Sequence, residues 1–339
     1  MKLLLRPLSL IYSQVVEMKN SLYDKGVIAA YKAPVPVVSI GNLTVGGTGK
    51  TPITDYLLKN LVKDGKRVAV VSRSYRADVG APSLVEVELP NAARYYGDEP
   101  VLLAQHNPDV DIYVGPSKWQ TAAYAASEGS FDVMIVDDGF QHRKLHRDFN
   151  IVILDATEKL ENYEVVPEGR GRESWASLQR ADVIVISKTN LASEEELKLL
   201  EQRLPEGKDV LYFGYQIKEI RDSRTEVQLK REQLQGKTLF LVSAIARPDV
   251  FEKMMREMAG ISKSSLHFRD HHQYTDQDVK KILTAFKESG ADFLVTTAKD
   301  AVKLRPLMPK EETLWVTDLE VMEIGKKGLL FEKVMALLR

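Results

Sequence analysis

The run Gly41-Asn-Leu-Thr-Val-Gly-Gly-Thr-Gly-Lys-Thr-Pro52 has the residue types and spacing to hold a triphosphate. An apolar stretch at 35–40 leads into a glycine-rich turn, then Lys50-Thr51, then a helical pattern from Pro52. Gly46, Gly47 and Gly49 let backbone N–H groups turn toward phosphate oxygens, with Thr44, Val45 and Thr48 completing the loop. Lys50 supplies positive charge for the outer phosphates, and the Thr51 hydroxyl is a ligand for Mg²⁺. Pro52 suits the first turn of a helix, whose N-terminus adds a favourable field for an anion. The usual spacing has a glycine where Thr44 stands, so the loop is a variant.

A second constellation lies at 131–139, an apolar strand pattern that ends in Asp137 and Asp138. A strand-end acid in proteins with such a loop holds magnesium, and Mg²⁺ needs few carboxylates because it keeps several waters. Gln141, His142 and Arg143 follow at once and are expected near the phosphates. A hydroxyl acceptor also needs a base for its proton. Two segments offer one: Gly97-Asp-Glu-Pro100, read as a loop carrying Asp98 and Glu99, and Asp270-His-His-Gln-Tyr274, carrying His271 and His272. An Asp–His pair could act as base and orienting partner, which spacing alone does not establish.

These residues need a scaffold that gathers strand ends. Short, nearly all-apolar runs at 35–40, 67–72, 132–137, 150–155, 182–187, 238–244 and 293–297 alternate with helical patterns at 52–63, 117–126, 194–203, 250–258 and 276–288. Uninterrupted apolar strands are covered on both faces, so the alternation predicts an α/β fold: a P-loop NTPase-like, doubly wound, mostly parallel sheet. Ligands bind such sheets at the carboxyl ends of the strands. A charged, glutamine-rich stretch at 215–236 suggests a connection between two lobes. The expected organisation is therefore an N-terminal helix (1–34), a core (35–215) and a smaller C-terminal lobe (216–339). Gly169-Arg-Gly171 reads as a mobile loop.

Residues 3–28 form an amphipathic pattern, with Leu4, Leu8, Ile11, Val15, Met18 and Leu22 on one face. Up to residue 32, five basic residues (Lys2, Arg6, Lys19, Lys25, Lys32) face two acids (Glu17, Asp24). Such a helix either packs its stripe on the protein's own core or lies in a membrane interface. A net charge of -1 gives no overall footprint for nucleic acid. The absence of cysteine removes thiolate chemistry and fits a reducing compartment. With no apolar run near the ~20 residues that span a bilayer, the chain is expected in the cytoplasm, open to membrane contact from that side.

Taken together, the loop at 41–52, Gly97-Asp-Glu-Pro100, Asp137-Asp-Gly-Phe-Gln-His-Arg143, Ala246-Arg-Pro248, Asp270-His271 and Thr296-Thr-Ala-Lys-Asp300 closely resemble the tetraacyldisaccharide 4'-kinase family. The resemblance runs from about residue 3 to about residue 305, in order and at compatible spacing. It implies ATP-dependent phosphorylation of the 4'-hydroxyl of a tetraacylated glucosamine disaccharide 1-phosphate, a lipid A precursor, giving lipid IVA. The site of action would be the cytoplasmic face of the inner membrane, with the protein peripherally associated and no nucleic-acid partner. It implies Asp98 as catalytic base paired with His271, and Mg²⁺ near Thr51, Asp137 and Asp138. It places Glu173, in Pro167-Glu-Gly-Arg-Gly-Arg-Glu173, near phosphates and metal, and gives the N-terminal helix contact with membrane or lipid.

Three departures stand out. The family's Ser-Arg-Gly-Tyr-Gly is here Ser72-Arg-Ser-Tyr-Arg76, which loses two glycines but keeps Arg73 as a phosphate contact. Lys118 replaces an arginine, keeping charge but not bidentate geometry. Ala298 replaces an acid beside Lys299 and Asp300, which with Lys188 are the candidates for the adenine pocket. Two other classes remain open: a GTPase or metallochaperone switch, and a soluble small-metabolite kinase. For the first, Ser187-Lys-Thr-Asn190 is the nearest guanine-reading motif and lacks the aspartate.

Overall fold

The computed structural model describes residues 2–73, 79–259 and 262–339. Among them, thirteen strands form one sheet. In chain order they are β1 (Val37–Asn42), β2 (Val68–Arg73), β3 (Ser83–Leu84), β4 (Asp111–Gly115), β5 (Val133–Asp137), β6 (Phe149–Asp155), β7 (Val183–Ser187), β8 (Asp209–Asp222), β9 (Gln228–Lys230), β10 (Leu239–Ser243), β11 (Ser262–His267), β12 (Phe293–Thr297) and β13 (Trp315–Ile324). Their spatial order is β11-β10-β12-β13-β8-β7-β6-β1-β5-β2-β4-β3, with β9 on β8. Pairing is parallel except where β3, β9 and β13 meet β4, β8 and β8.

The helices are α1 (Lys2–Asp24), α2 (Lys50–Lys63), α3 (Ala92–Tyr96), α4 (Asp98–His106), α5 (Lys118–Glu128), α6 (Glu194–Glu201), α7 (Arg231–Leu234), α8 (Pro248–Ala259), α9 (Asp276–Ser289), α10 (Ala298–Leu304) and α11 (Leu329–Leu337). Every residue of β1, β5 and β7 is buried. Ile151 and Ile153 of β6 face the cluster that holds Leu57 and Leu61 of α2. Val152 and Leu154 face the opposite layer, with Phe140 and Leu200. Strand side chains alternate between faces, so a strand covered on both sides is apolar along most of its length. Each such side chain contributes roughly 1.5–3 kcal/mol of burial.

The apolar runs read from the sequence become β1, β2, β5, β6, β7, β10 and β12, each within two residues of the expected bounds. The stretch at 215–236 does not begin as a connection. Residues up to 222 are the second half of β8, whose partner is the antiparallel β13. Its half-exposed alternation admits Lys218, Glu219 and Arg221, and that charge reads as loop in a sequence.

Helix α1 is inverted relative to ordinary surface helices. Leu8, Ile11, Val15 and Met18 are 55–65% exposed. Ser9 and Asn20 are buried instead. Ser9 Oγ accepts from the Glu168 N–H at 3.0 Å, and Asn20 Nδ2 donates to Glu173 at 2.7 Å. The helix thus docks by its polar face, and its stripe does not pack on the protein's core. Leu4's side chain lies outside the described residues, as do Ser74 and Arg76. No described helix is long and apolar enough to cross a membrane.

Candidate active site

A cleft of about 520 Å³ opens at the carboxyl ends of β1, β2, β5 and β7. One wall is the loop from Thr44 to Thr51, all of whose residues line it. The positive φ angles that the loop requires fall at Gly46 (121°) and Gly49 (86°). Thr44 instead sits in extended pairing with Gly171, its carbonyl accepting from Asn42 Nδ2 at 2.7 Å, so no glycine is needed there. Gly49 caps α2, whose first N–H groups have no partner within the helix and whose first residues, Lys50 to Pro52, line the cleft. Lys50 Nζ lies 3.2 Å from Asn42 Oδ1 and 3.5 Å from Asp138 Oδ1.

Asp137 and Asp138 close the floor. Asp137 is buried, accepts from Ser72 Oγ at 3.1 Å through Oδ2, and leaves Oδ1 without a hydrogen-bond partner. Burial, with the charge of Glu99, pushes its carboxyl up to about 6. Asp138, at φ 49°, has both oxygens on the Arg172 guanidinium at 2.7 and 2.8 Å. Burial alone would raise its carboxyl, but Lys50, Arg172 and Lys118 hold it well below the usual range. Lys118 is buried against the Asp138 carbonyl, and burial lowers its ammonium to about 8. His142 lines the cleft, and burial, reinforced by the Lys118 charge, lowers its ring to about 3, so it is neutral near pH 7.

The opposite wall starts at α4. Asp98 and Glu99 are not in a loop but in the first turn of that helix, capped by Gly97 at φ 101°. The positive end of a helix favours such acids. Asp98 is 5% exposed. Both of its oxygens lie 3.1 Å from His271 Nδ1, and Oδ2 also meets Lys303 Nζ at 3.1 Å. Lys299 Nζ reaches Glu99 at 2.8 Å and His271 Nε2 at 3.3 Å. An ammonium only donates, so Nε2 accepts and the proton on Nδ1 goes to Asp98. Burial alone would raise the Asp98 carboxyl. The His271 hydrogen bond, Lys299 and Lys303 outweigh it and hold the group below the carboxylate range.

The cleft thus gathers Thr44–Thr51, Asp137, Asp138, Asp98, Glu99, His271, His142 and the exposed Arg73. Three expected residues are not on its walls. Glu173 does not line the cleft: its Oε2 accepts from Arg180 at 2.8 Å and from Asn20 of α1 at 2.7 Å, and its Oε1 is buried without a hydrogen-bond partner. Arg172, not Glu173, lines the cleft. Arg143 pairs with Asp24 at the end of α1 and lies over the Tyr23 ring. Gln141 Nε2 is spent on the Asn42 carbonyl at 3.0 Å. The loop at 169–171 is tied down: Val45 N–H donates to Arg170 O, Gly171 N–H to Glu164 O, and Arg172 N–H to Leu43 O, at 2.7–2.8 Å. Asn42, Arg172 and Lys303 were not singled out as site residues. Arg172 and Asn42 stand inside recognised motifs, whereas Lys303 had no signal beyond its place four residues after Lys299. Of the adenine candidates, Asp300 is buried and accepts from the Ala244 N–H at 2.9 Å. Lys299 is committed to Glu99.

A phosphate-cradling loop and strand-end acids facing a buried carboxylate–imidazole pair define a phosphotransferase of the P-loop class. The sequence profile of the family described as tetraacyldisaccharide-1-P 4'-kinase matches residues 1–339, and the chain belongs to that family. A tetraacyldisaccharide 4'-kinase of Bdellovibrio bacteriovorus is 67% identical over 339 residues, covering 100% of both chains. One from an Anaeromyxobacter species is 37% identical over 292 residues, covering 85% of this chain and 78% of its own. The crystal structure of LpxK from Aquifex aeolicus in complex with ATP superposes with a TM-score of 0.77 at 30% identity, covering 99% of each chain.

Proposed function

We propose that the chain transfers the γ-phosphate of ATP to the 4'-hydroxyl of a tetraacylated glucosamine disaccharide 1-phosphate, a kinase step of lipid A biosynthesis. The observation that carries this reading is the meeting, in one cleft, of the Lys50 loop with the Asp98–His271 pair, in a chain that matches the family end to end. The loop N–H groups and Lys50 bind the triphosphate. The acceptor hydroxyl sits beside Asp98, which takes its proton as the oxygen forms its bond to phosphorus and ADP leaves. His271, donating from Nδ1, and Lys303 keep that carboxylate ionised and oriented. Lys50 and Arg172 offset the charge that develops on the phosphoryl oxygens.

The residues present fit Mg²⁺: Asp137 Oδ1 is buried without a hydrogen-bond partner beside Asp138 and Thr51. Thr51, Asp137 and Asp138 would hold the ion, which when bound neutralises phosphate charge. Glu173 does not line this cleft, so it is left out of that set. The outward stripe of α1 supports peripheral association with the cytoplasmic face of the inner membrane, where an acylated acceptor resides.

The reading is tested by following radiolabelled phosphate from ATP to purified disaccharide 1-phosphate in detergent micelles. Label in the lipid is expected. Release of phosphate to water with no lipid labelling would contradict it.

A further inference from the structure

The segment Ser187-Lys-Thr-Asn190, an incomplete guanine-reading motif in the sequence, lies against the phosphate loop. Three consecutive loop carbonyls accept from side chains at the end of β7 and in the middle of β8. Gly47 O is 3.3 Å from Lys188 Nζ, Thr48 O is 2.9 Å from Ser187 Oγ, and Gly49 O is 2.7 Å from Tyr215 Oη. Ser187 Oγ also lies 3.2 Å from the Leu154 carbonyl. In a trans peptide the carbonyl and the following N–H point in opposite directions. Drawing these carbonyls toward the sheet therefore turns the next N–H groups the other way. That of Thr48 meets the Gly46 carbonyl at 3.1 Å, and Gly49 and Lys50, whose N–H groups donate to no backbone carbonyl among the described residues, line the cleft.

The tethers are themselves anchored. Lys188 is buried at φ 59° and paired with Asp155. Asp155 in turn accepts from the Thr157 N–H at 2.9 Å and its hydroxyl at 2.7 Å. The Asn190 amide grips Tyr215 from both sides, donating to its carbonyl at 2.9 Å and accepting from its N–H at 2.8 Å. The Tyr215 hydroxyl fills the space a Cβ on Gly49 would need.

We propose that Ser187, Lys188 and Tyr215 are positioning residues that set the phosphate loop in its anion-binding shape before nucleotide arrives, with Asn190 fixing Tyr215. The proposal rests on the reading of Gly46–Thr51 as the cradle for ATP. A loop held this way binds ATP without first ordering itself, so the brace acts on ATP affinity and not on the chemical step.

The test is Tyr215→Phe in the full chain, with ATP as probe. Direct ATP binding, KM for ATP, kcat at saturating ATP, and amide hydrogen exchange of residues 46–51 without nucleotide are measured. ATP dissociation constant and KM should each rise about tenfold, the effect of one lost buried hydrogen bond, with kcat nearly unchanged and faster loop exchange. Ser187→Ala should act in the same direction, and it supplies the reading if Tyr215→Phe does not fold. Lys50→Ala is the reference. If it weakens ATP binding while Tyr215→Phe and Ser187→Ala lower only the melting temperature, the brace is refuted and the cradle stands. If Lys50→Ala leaves ATP affinity intact, the cradle itself is wrong and the brace falls with it.

Discussion

The wall around Lys50 draws its chemical groups mainly from two short runs of sequence, 44–51 and 137–138, and its loop combines two positive-φ glycines and a helix N-terminus with side-chain tethers from Ser187, Lys188 and Tyr215. The wall around Asp98 joins residue 98 to residues 271, 299 and 303, and its shape is set by charge. The first wall carries its chemistry in contiguous motifs, with only its tethers coming from afar. The second exists only once β10, β12 and α10 have folded beside α4, where buried ions must find one another. The two walls should therefore fail differently. Damage to the first should weaken nucleotide binding, and damage to the second should slow transfer or shift its pH dependence while ATP stays bound.

Asp98→Asn breaks the second wall most sharply. It keeps shape and removes the proton acceptor, so turnover should fall by roughly 10²–10⁴-fold, the worth of a general base. Steady-state labelling of the lipid acceptor measures this, and an effect of only a few fold would move the base elsewhere.

His271→Ala sharpens the comparison with a smaller loss and a pH signature. The groups facing Asp98 are Glu99 from its own helix, His271 from the 270–274 turn, and Lys299 and Lys303 from α10. Tyr274 and Asp300 lie behind Lys303. The active form of Asp98 is ionised, and its carboxyl sits below the usual range. Removing the His271 hydrogen bond raises it, so the acid limb of kcat/KM should move to higher pH. An acid limb that does not move would show that His271 does not tune Asp98.

How much of this was legible follows from how each part is built. The Lys50 loop and the Asp137–Asp138 pair could be read because contiguous residues carry both the chemistry and the turn. β1, β5 and β7 could be read because burial on both faces keeps them mostly apolar, with Asn42, Asp137 and Ser187 at their carboxyl ends. β8 and β13 were missed because a half-exposed antiparallel pair tolerates charge at every other position. Glu173 was expected near phosphates and metal, but a motif fixes position along the chain and not the direction a side chain points, and it is Arg172, one residue earlier, that lines the cleft. The stripe of α1 was visible, but which face docks depends on Glu168 and Glu173, far away in sequence.

The smallest catalytic effect is expected at α1, outside both walls. Ile11→Glu with Val15→Glu alters only exposed side chains. Cosedimentation with anionic phospholipid vesicles should drop clearly while ATP affinity and melting temperature stay near wild type. Unchanged vesicle binding would mean that the stripe does not touch lipid.

The division of labour between the walls is tested most directly by measuring ATP dissociation constants for Lys50→Ala and Asp98→Asn side by side. Lys50→Ala should lose ATP affinity, and Asp98→Asn should bind ATP almost as the wild type does while labelling little or no lipid. An Asp98→Asn protein that loses ATP as completely as Lys50→Ala would contradict the account, because Asp98 would then belong to the nucleotide and not to the acceptor hydroxyl.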